Sequence, residues 1–261
     1  MISLIYMYLA VAALVSLQYG LAAHIDNSKL DNNIQTNVIP APAQKRRVIR
    51  NFVRIPEPPP MTVRHVPGTT SELECFAMGK PAPSIEWLKN GEPLNDYDEE
   101  ANDILATHQN SMAGLTSKLI LTAPSNGDVY TCVATAGIKR ATATTTVVTE
   151  DEDEELLAIQ KLLFKPTKPT ITMYYNDIFQ DYGTDVILPC RVFSFTKSQI
   201  VWQDPDENII YGNSGRMQVL PSGDLLITGL KWSDMGNFTC TAKNMYGKES
   251  VATFMYPLKP Q

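Results

Sequence analysis

Two cysteines in this 261-residue chain are each followed twelve residues later by a tryptophan, Cys75 by Trp87 and Cys190 by Trp202. A further cysteine closes each unit, Cys132 at 57 residues from Cys75 and Cys240 at 50 residues from Cys190. Short runs with period two surround these positions. In SELECFAMG, Leu73, Cys75 and Ala77 point one way and Glu74 and Phe76 the other, which predicts a half-buried strand. A strand carrying Ile85 and Trp87 follows, then Asn90-Gly91 as a hairpin signal, then GDVYTCVATA with Tyr130, Cys132 and Ala134 aligned. ATATTTVV closes the set as an expected edge strand. The same order returns around Val186, Leu188 and Cys190, around Ile200 and Trp202, and through GDLLITGL, GNFTCTAKN and ESVATFMY.

This is an internal repeat of about ninety residues. Four cysteines allow three pairings, and the spacings within each unit select Cys75–Cys132 and Cys190–Cys240. Each bridge is expected to pin two facing sheets, with Trp87 or Trp202 packed on the sulfurs in the core. On a chain-entropy basis each closure contributes about 4 kcal/mol, comparable to the net stability of a small domain. The fold class read from these patterns is all-β, with two tandem β-sandwiches at residues 60–149 and 168–258.

The rest of the chain is organised around these units. Residues 1–23 carry ISLIYMYLAVAALVSL followed by QYGLAA, an apolar run and then small residues, which reads as a signal peptide and predicts a secreted, extracellular product. Gln18 and two serines interrupt the run, so a retained membrane anchor is not expected. Residues 24–59 are polar and then Pro-rich, and are read as a disordered arm. Within and just beyond its basic part lie Lys45, Arg46, Arg47, Arg50 and Arg54; this stretch reads as a basic tail rather than a processing site, and is a candidate contact for acidic glycans.

Between the sandwiches, residues 150–167 begin EDEDEELLAIQKLLFK. A short amphipathic helix from about 152 to 165 explains the order of its charges: acids in the first turn, Lys161 and Lys165 later, and Pro166 as the stop. Leu156, Ile159, Leu162 and Leu163 fall on one stripe, while Leu157 and Phe164, seven apart, lie on a second flank. A helix docked by its stripe would still offer that second flank to a partner.

Several function classes are excluded or disfavoured. The net charge of −6 opposes a nucleic-acid partner. His24, His65 and His108 accompany no nucleophile motif, and the chain lacks GxSxG, HExxH and a glycine-rich phosphate loop, so no catalysis is expected. No metal or cofactor is expected either: there is no CxxC, and the acidic run lacks the ligand spacing of a calcium loop. Asn237-Phe238-Thr239 is the N-glycosylation sequon, and alternation from inward Phe238 and Cys240 turns Asn237 outward. Trp232, in the turn before Cys240, and Tyr211, following Ile209 and Ile210 on an expected edge strand, are further candidates for a contact surface. Edge strands of this kind also offer a route to a homodimer.

With these residues in place, the chain resembles the immunoglobulin superfamily, specifically its intermediate set. The second unit carries Leu225-x-Ile227, then Asp234-x-Gly236-x-Phe238-x-Cys240-x-Ala242-x-Asn244, and Gly247. Phe238 stands where the superfamily has its corner tyrosine; the first unit keeps Tyr130 but has Asn126 and Asp128 before it. KWSDMGN at 231–237 and TFMYP at 253–257 are similar to the secreted insect proteins with two immunoglobulin domains described as neural/ectodermal development factor. That resemblance implies binding of an insulin-like peptide and antagonism of insulin signalling by sequestration. Its expected site is the linker helix with an adjoining sheet face, using Leu156, Leu157, Ile159, Leu163, Phe164 and Tyr211. The alternative expectation is a secreted adhesion or neural guidance ligand that recognises a cell surface.

Overall fold

The computed structural model describes residues 50–94, 108–149, 167–212 and 215–259, within one compact unit spanning Val48–Gln261. The first sandwich is built from β1 (Phe52–Glu57), β2 (Thr62–His65), β3 (Ser71–Lys80), β4 (Ser84–Lys89), β5 (Glu92–Pro93), β6 (Met112–Leu121), β7 (Val129–Ala136) and β8 (Lys139–Thr149). The second comprises β9 (Thr170–Asp181), β10 (Val186–Leu188), β11 (Arg191–Phe193), β12 (Gln199–Gln203), β13 (Ile209–Ile210), β14 (Met217–Val219), β15 (Leu225–Ile227), β16 (Gly236–Asn244) and β17 (Gly247–Leu258). A short 3-10 turn, Trp232–Asp234, precedes β16. The described residues contain no α-helix, and the helix expected over 152–165 lies outside them.

Both disulfides form within their own repeats, Cys75–Cys132 and Cys190–Cys240, each with Cα atoms 6.5 Å apart. Trp87 stands directly opposite Cys132 and Trp202 opposite Cys240 in the strand register. Both indoles are buried, so their N–H groups need partners. Trp87 Nε1 donates to Ser117 Oγ at 3.0 Å, and Trp202 Nε1 to the Gly223 carbonyl at 2.8 Å. Tyr130 and Phe238 are buried beside the bridges. The Asn90-Gly91 turn joins β4 to β5 with both residues at positive φ, the conformation a two-residue type I′ hairpin requires.

Two expectations are corrected. Residues 52–57, assigned to the disordered arm, form β1 and pair with β3; Val53 and Ile55 pack against the core, a short alternation overshadowed by the prolines that follow. β8 is not an edge strand, because β2 pairs with it in parallel, Val63 opposite Val147, while β7 holds its other side.

The first sandwich faces a sheet of order β1-β3-β6 against one of order β2-β8-β7-β4-β5. The second faces β10-β15-β14 against β9-β17-β16-β12-β13. The two sandwiches are joined edge to edge: β6 pairs antiparallel with β9, so one hydrogen-bonded sheet runs from β1 through β3, β6, β9, β17, β16 and β12 to β13. Leu115 of the first core lies opposite Tyr175 of the second, and both are buried. Both cores therefore sit on the same side of this sheet, and its other face is left uncovered by either small sheet.

Candidate functional site

The face turned away from both small sheets is built by strand alternation. One row crosses both sandwiches in register: Arg54, Met78, Gly114, Asp177, Phe254 and Asn237. A neighbouring row places Met112, Phe179 and Tyr256 side by side, and another Phe76, Thr116 and Tyr174. Phe179 and Tyr256 pack with ring centroids 5.7 Å apart, and Trp232 meets Tyr256 edge-on at 6.3 Å. Phe254 is 39% exposed and Trp232 41%, while Met78, Met112, Phe179 and Tyr256 are half-buried. The face is thus an apolar, aromatic band about three strand spacings wide, roughly 14 Å from β3 to β17. An apolar, aromatic band of this size has the composition of a docking surface.

Charge borders the band. Lys118 bridges Glu72 at 2.9 Å and Glu74 at 3.3 Å. Burial alone would lower its pKa, but the two carboxylates outweigh that and push it up to about 12.

At the centre of the band lies the seam between the sandwiches. Gly114 N–H donates to Asp177 Oδ1 at 3.2 Å, and Thr116 Oγ1 donates to Asn176 Oδ1 at 2.7 Å, where β9 bulges. Asn110 Nδ2 reaches Asp181 Oδ2 at 2.9 Å, with His108 Nδ1 3.5 Å from the same oxygen. Burial raises the Asp177 carboxyl above its ordinary 3.8, and the Gly114 N–H offsets only part of that. Because this folded-state pKa is raised, its contribution to stability is present at acid pH and lost as pH rises through the raised value. Asp177→Asn keeps an acceptor for Gly114 and removes the charge. Its thermal midpoint is expected to fall less than the wild type's as pH rises from about 4 towards neutrality, in a melt series at fixed ionic strength.

The residues singled out in the sequence fall into distinct places. Leu156, Leu157, Ile159, Leu163 and Phe164 lie outside the described residues. Tyr211 is 73% exposed just beyond β13, the far edge of the long sheet. It stands about 14 Å in strand spacing from β17, so the fold does not bring it to the aromatic band. Asn237 is exposed and directly opposite Phe254, so its side chain borders the band. Phe76, Met78, Met112, Phe179, Phe254 and Tyr256 were not recognised from sequence. The signal available was β9 itself: TITMYYNDIFQD carries apolar residues on both faces, as a strand covered on both sides does.

Residues 53–148 match the immunoglobulin I-set domain model, and residues 168–244 an immunoglobulin domain model. Neural/ectodermal development factor IMP-L2 of Drosophila melanogaster is 30% identical over 262 aligned residues, covering 97% of this chain and 97% of that protein. The chain belongs to the IMP-L2 family. Its structure agrees: a crystal structure of neural ectodermal development factor IMP-L2 superposes with a TM-score of 0.69 at 28% identity, covering 81% of this chain and 97% of that one. The chain is also similar to the Caenorhabditis elegans Zwei Ig domain protein zig-4, 29% identical over 87% of this chain and 85% of that protein. Among the described residues no helix is long and apolar enough to cross a membrane, and no cluster of metal-ligating side chains occurs.

Proposed function

We propose that this chain is a secreted binding protein that sequesters an insulin-like peptide and so lowers its availability to receptor. The observation that carries the reading is the aromatic band spanning both sandwiches, which fits a small helical hormone with an apolar face. The family resemblance supports the choice of ligand. Burial of Phe179, Phe254 and Tyr256 would supply several kcal/mol at roughly 25 cal/mol per Å2 before ordering costs. In this reading the linker residues Leu156, Leu157, Ile159, Leu163 and Phe164 also contact the hormone. Binding rather than catalysis is the mode of action, and competition follows mass action, effective only where the chain exceeds its dissociation constant and matches the hormone in amount.

The test is calorimetric titration of the secreted chain with an insulin-like peptide. One-to-one binding is expected, at least tenfold weaker in a Phe179→Ser/Tyr256→Ser variant that retains both disulfides. Unchanged affinity in that variant would move the site off the band, and a Leu157→Ser/Phe164→Ser variant then reports on the linker. No heat from the wild-type chain at micromolar concentration would reject the hormone reading and favour the adhesion or guidance alternative, which predicts cell-surface binding. A glycan on Asn237 would border the band, and Asn237→Gln separates its effect from that of the band.

A further inference from the structure

We propose that the pole of the first sandwich binds a sulfated polysaccharide through Arg50, Arg54, Lys80, Lys139 and Arg140. Three chain segments meet there. β1 pairs with the end of β3, Phe52 opposite Lys80 and Arg54 opposite Met78, so Arg54 and Lys80 are diagonal neighbours on one face. The β7–β8 hairpin closes against the same corner: a Cβ built on Gly137 would lie 3.6 Å from Pro81 Cδ and 3.9 Å from Asn51 Nδ2. Lys139 pairs with Ala136 and Arg140 with Thr135, which sets both cations at the tip of the hairpin that approaches Asn51 and Pro81, with their side chains on opposite faces of β8. Arg50, Arg54, Lys139 and Arg140 are exposed, and Lys80 is half-exposed.

The cations of this corner are not neutralised by ion pairs. Lys89, Lys118, Lys168, Arg191 and Arg216 each lie within ion-pair distance of a carboxylate. None of the five polar cations does so among the described residues, although the chain as a whole carries a charge of −6. Unpaired cations gathered against the overall charge act locally, since screening confines their field to about 8 Å at physiological salt. They are spread over an open corner instead of converging in a pocket. That layout suits a linear polyanion with charges at intervals, not a single small anion. Ile138, 96% exposed at the hairpin tip, gives an apolar point that a membrane could receive. A lone aliphatic side chain is a weak anchor, so anionic vesicles serve as the opposing outcome. The inference stands whether or not a hormone binds; Arg54 ends the row that crosses the aromatic band, so a glycan held there would adjoin the band at its β1 end.

Heparin is the probe. The full secreted chain is expected to be retained on immobilised heparin at 0.15 M NaCl and released by higher salt. Lys80→Ser/Lys139→Ser/Arg140→Ser should weaken retention at least tenfold and make log affinity fall less steeply with log salt, because fewer counterions are released. Lys139→Glu alone, at the exposed tip, should weaken it in the same direction should the triple variant fold poorly. A Lys45→Ser/Arg46→Ser/Arg47→Ser variant should keep most of the retention. Flow-through of the wild-type chain at 0.15 M NaCl would overturn the proposal. So would retention lost in the 45–47 variant but kept in the triple variant, or binding to phosphatidylserine vesicles in place of heparin.

Discussion

Asp224→Ala is expected to cost the second sandwich about 3–5 kcal/mol, a large share of the net stability of an ordinary domain. Asp224 is 1% exposed, and each of its oxygens is committed. Oδ1 accepts the Cys190 N–H at 3.0 Å; Oδ2 accepts Arg191 Nη2 at 2.7 Å and Ser222 Oγ at 3.0 Å. The position has a structural reason. The second strand of this sandwich is broken between β10 and β11 at Pro189-Cys190, and the carboxylate takes up a backbone donor that the ladder leaves over. Truncation strands that donor beside the disulfide and removes the carboxylate from the largely buried Arg191. Asp224→Asn keeps an acceptor for Cys190 and should fall between the wild type and Asp224→Ala. Urea melts followed by the fluorescence of buried Trp202 check the order, and an Asp224→Ala midpoint equal to the wild type's would show the network to be dispensable.

The repeat, the two disulfides and the tandem sandwiches were legible because their signals are local. A buried cysteine enforces alternation on its own strand, and tryptophan at a fixed offset marks the strand opposite. The seam was not legible, because pairing of β6 with β9 depends on residues some sixty positions apart whose individual patterns are ordinary. SMAGLTSKL reads as any half-buried strand. Its one anomaly is Gly114, and glycine inside a strand marks a close approach by something else. Nor was the aromatic band legible: Phe76, Phe179 and Tyr256 come from three strands and share a face only once the sandwiches join. Sequence reasoning instead favoured the linker residues Leu156, Leu157, Ile159, Leu163 and Phe164, which lie outside the described residues, and Tyr211, an exposed aromatic that the topology sets apart from the band.

Gly114→Val is expected to open that seam while leaving both sandwiches folded. A Cβ at this position would lie 2.6 Å from Asp177 Oδ1 and 2.9 Å from the Phe76 ring, both closer than carbon tolerates. The penalty is steric, and Asp177 and Phe76 can yield only by giving up what they do. Asp177 would release the Gly114 N–H, and Phe76 would leave the glycine it covers. Overpacking of this kind costs about 1–3 kcal/mol, with the lost hydrogen bond adding about 1 kcal/mol. Gly114→Ala should show the same pattern at smaller amplitude. Hydrogen exchange locates the loss: amides of residues 112–117 and 173–179 should exchange faster, while those flanking Cys75, Cys132, Cys190 and Cys240 keep their protection. Uniform loss of protection would mean that the seam and the cores form one cooperative unit. If seam amides alone accelerate and hormone affinity falls with them, the continuous face is what the ligand recognises. If affinity survives, recognition belongs to one sandwich, and the joined sheet serves only to hold the two in line.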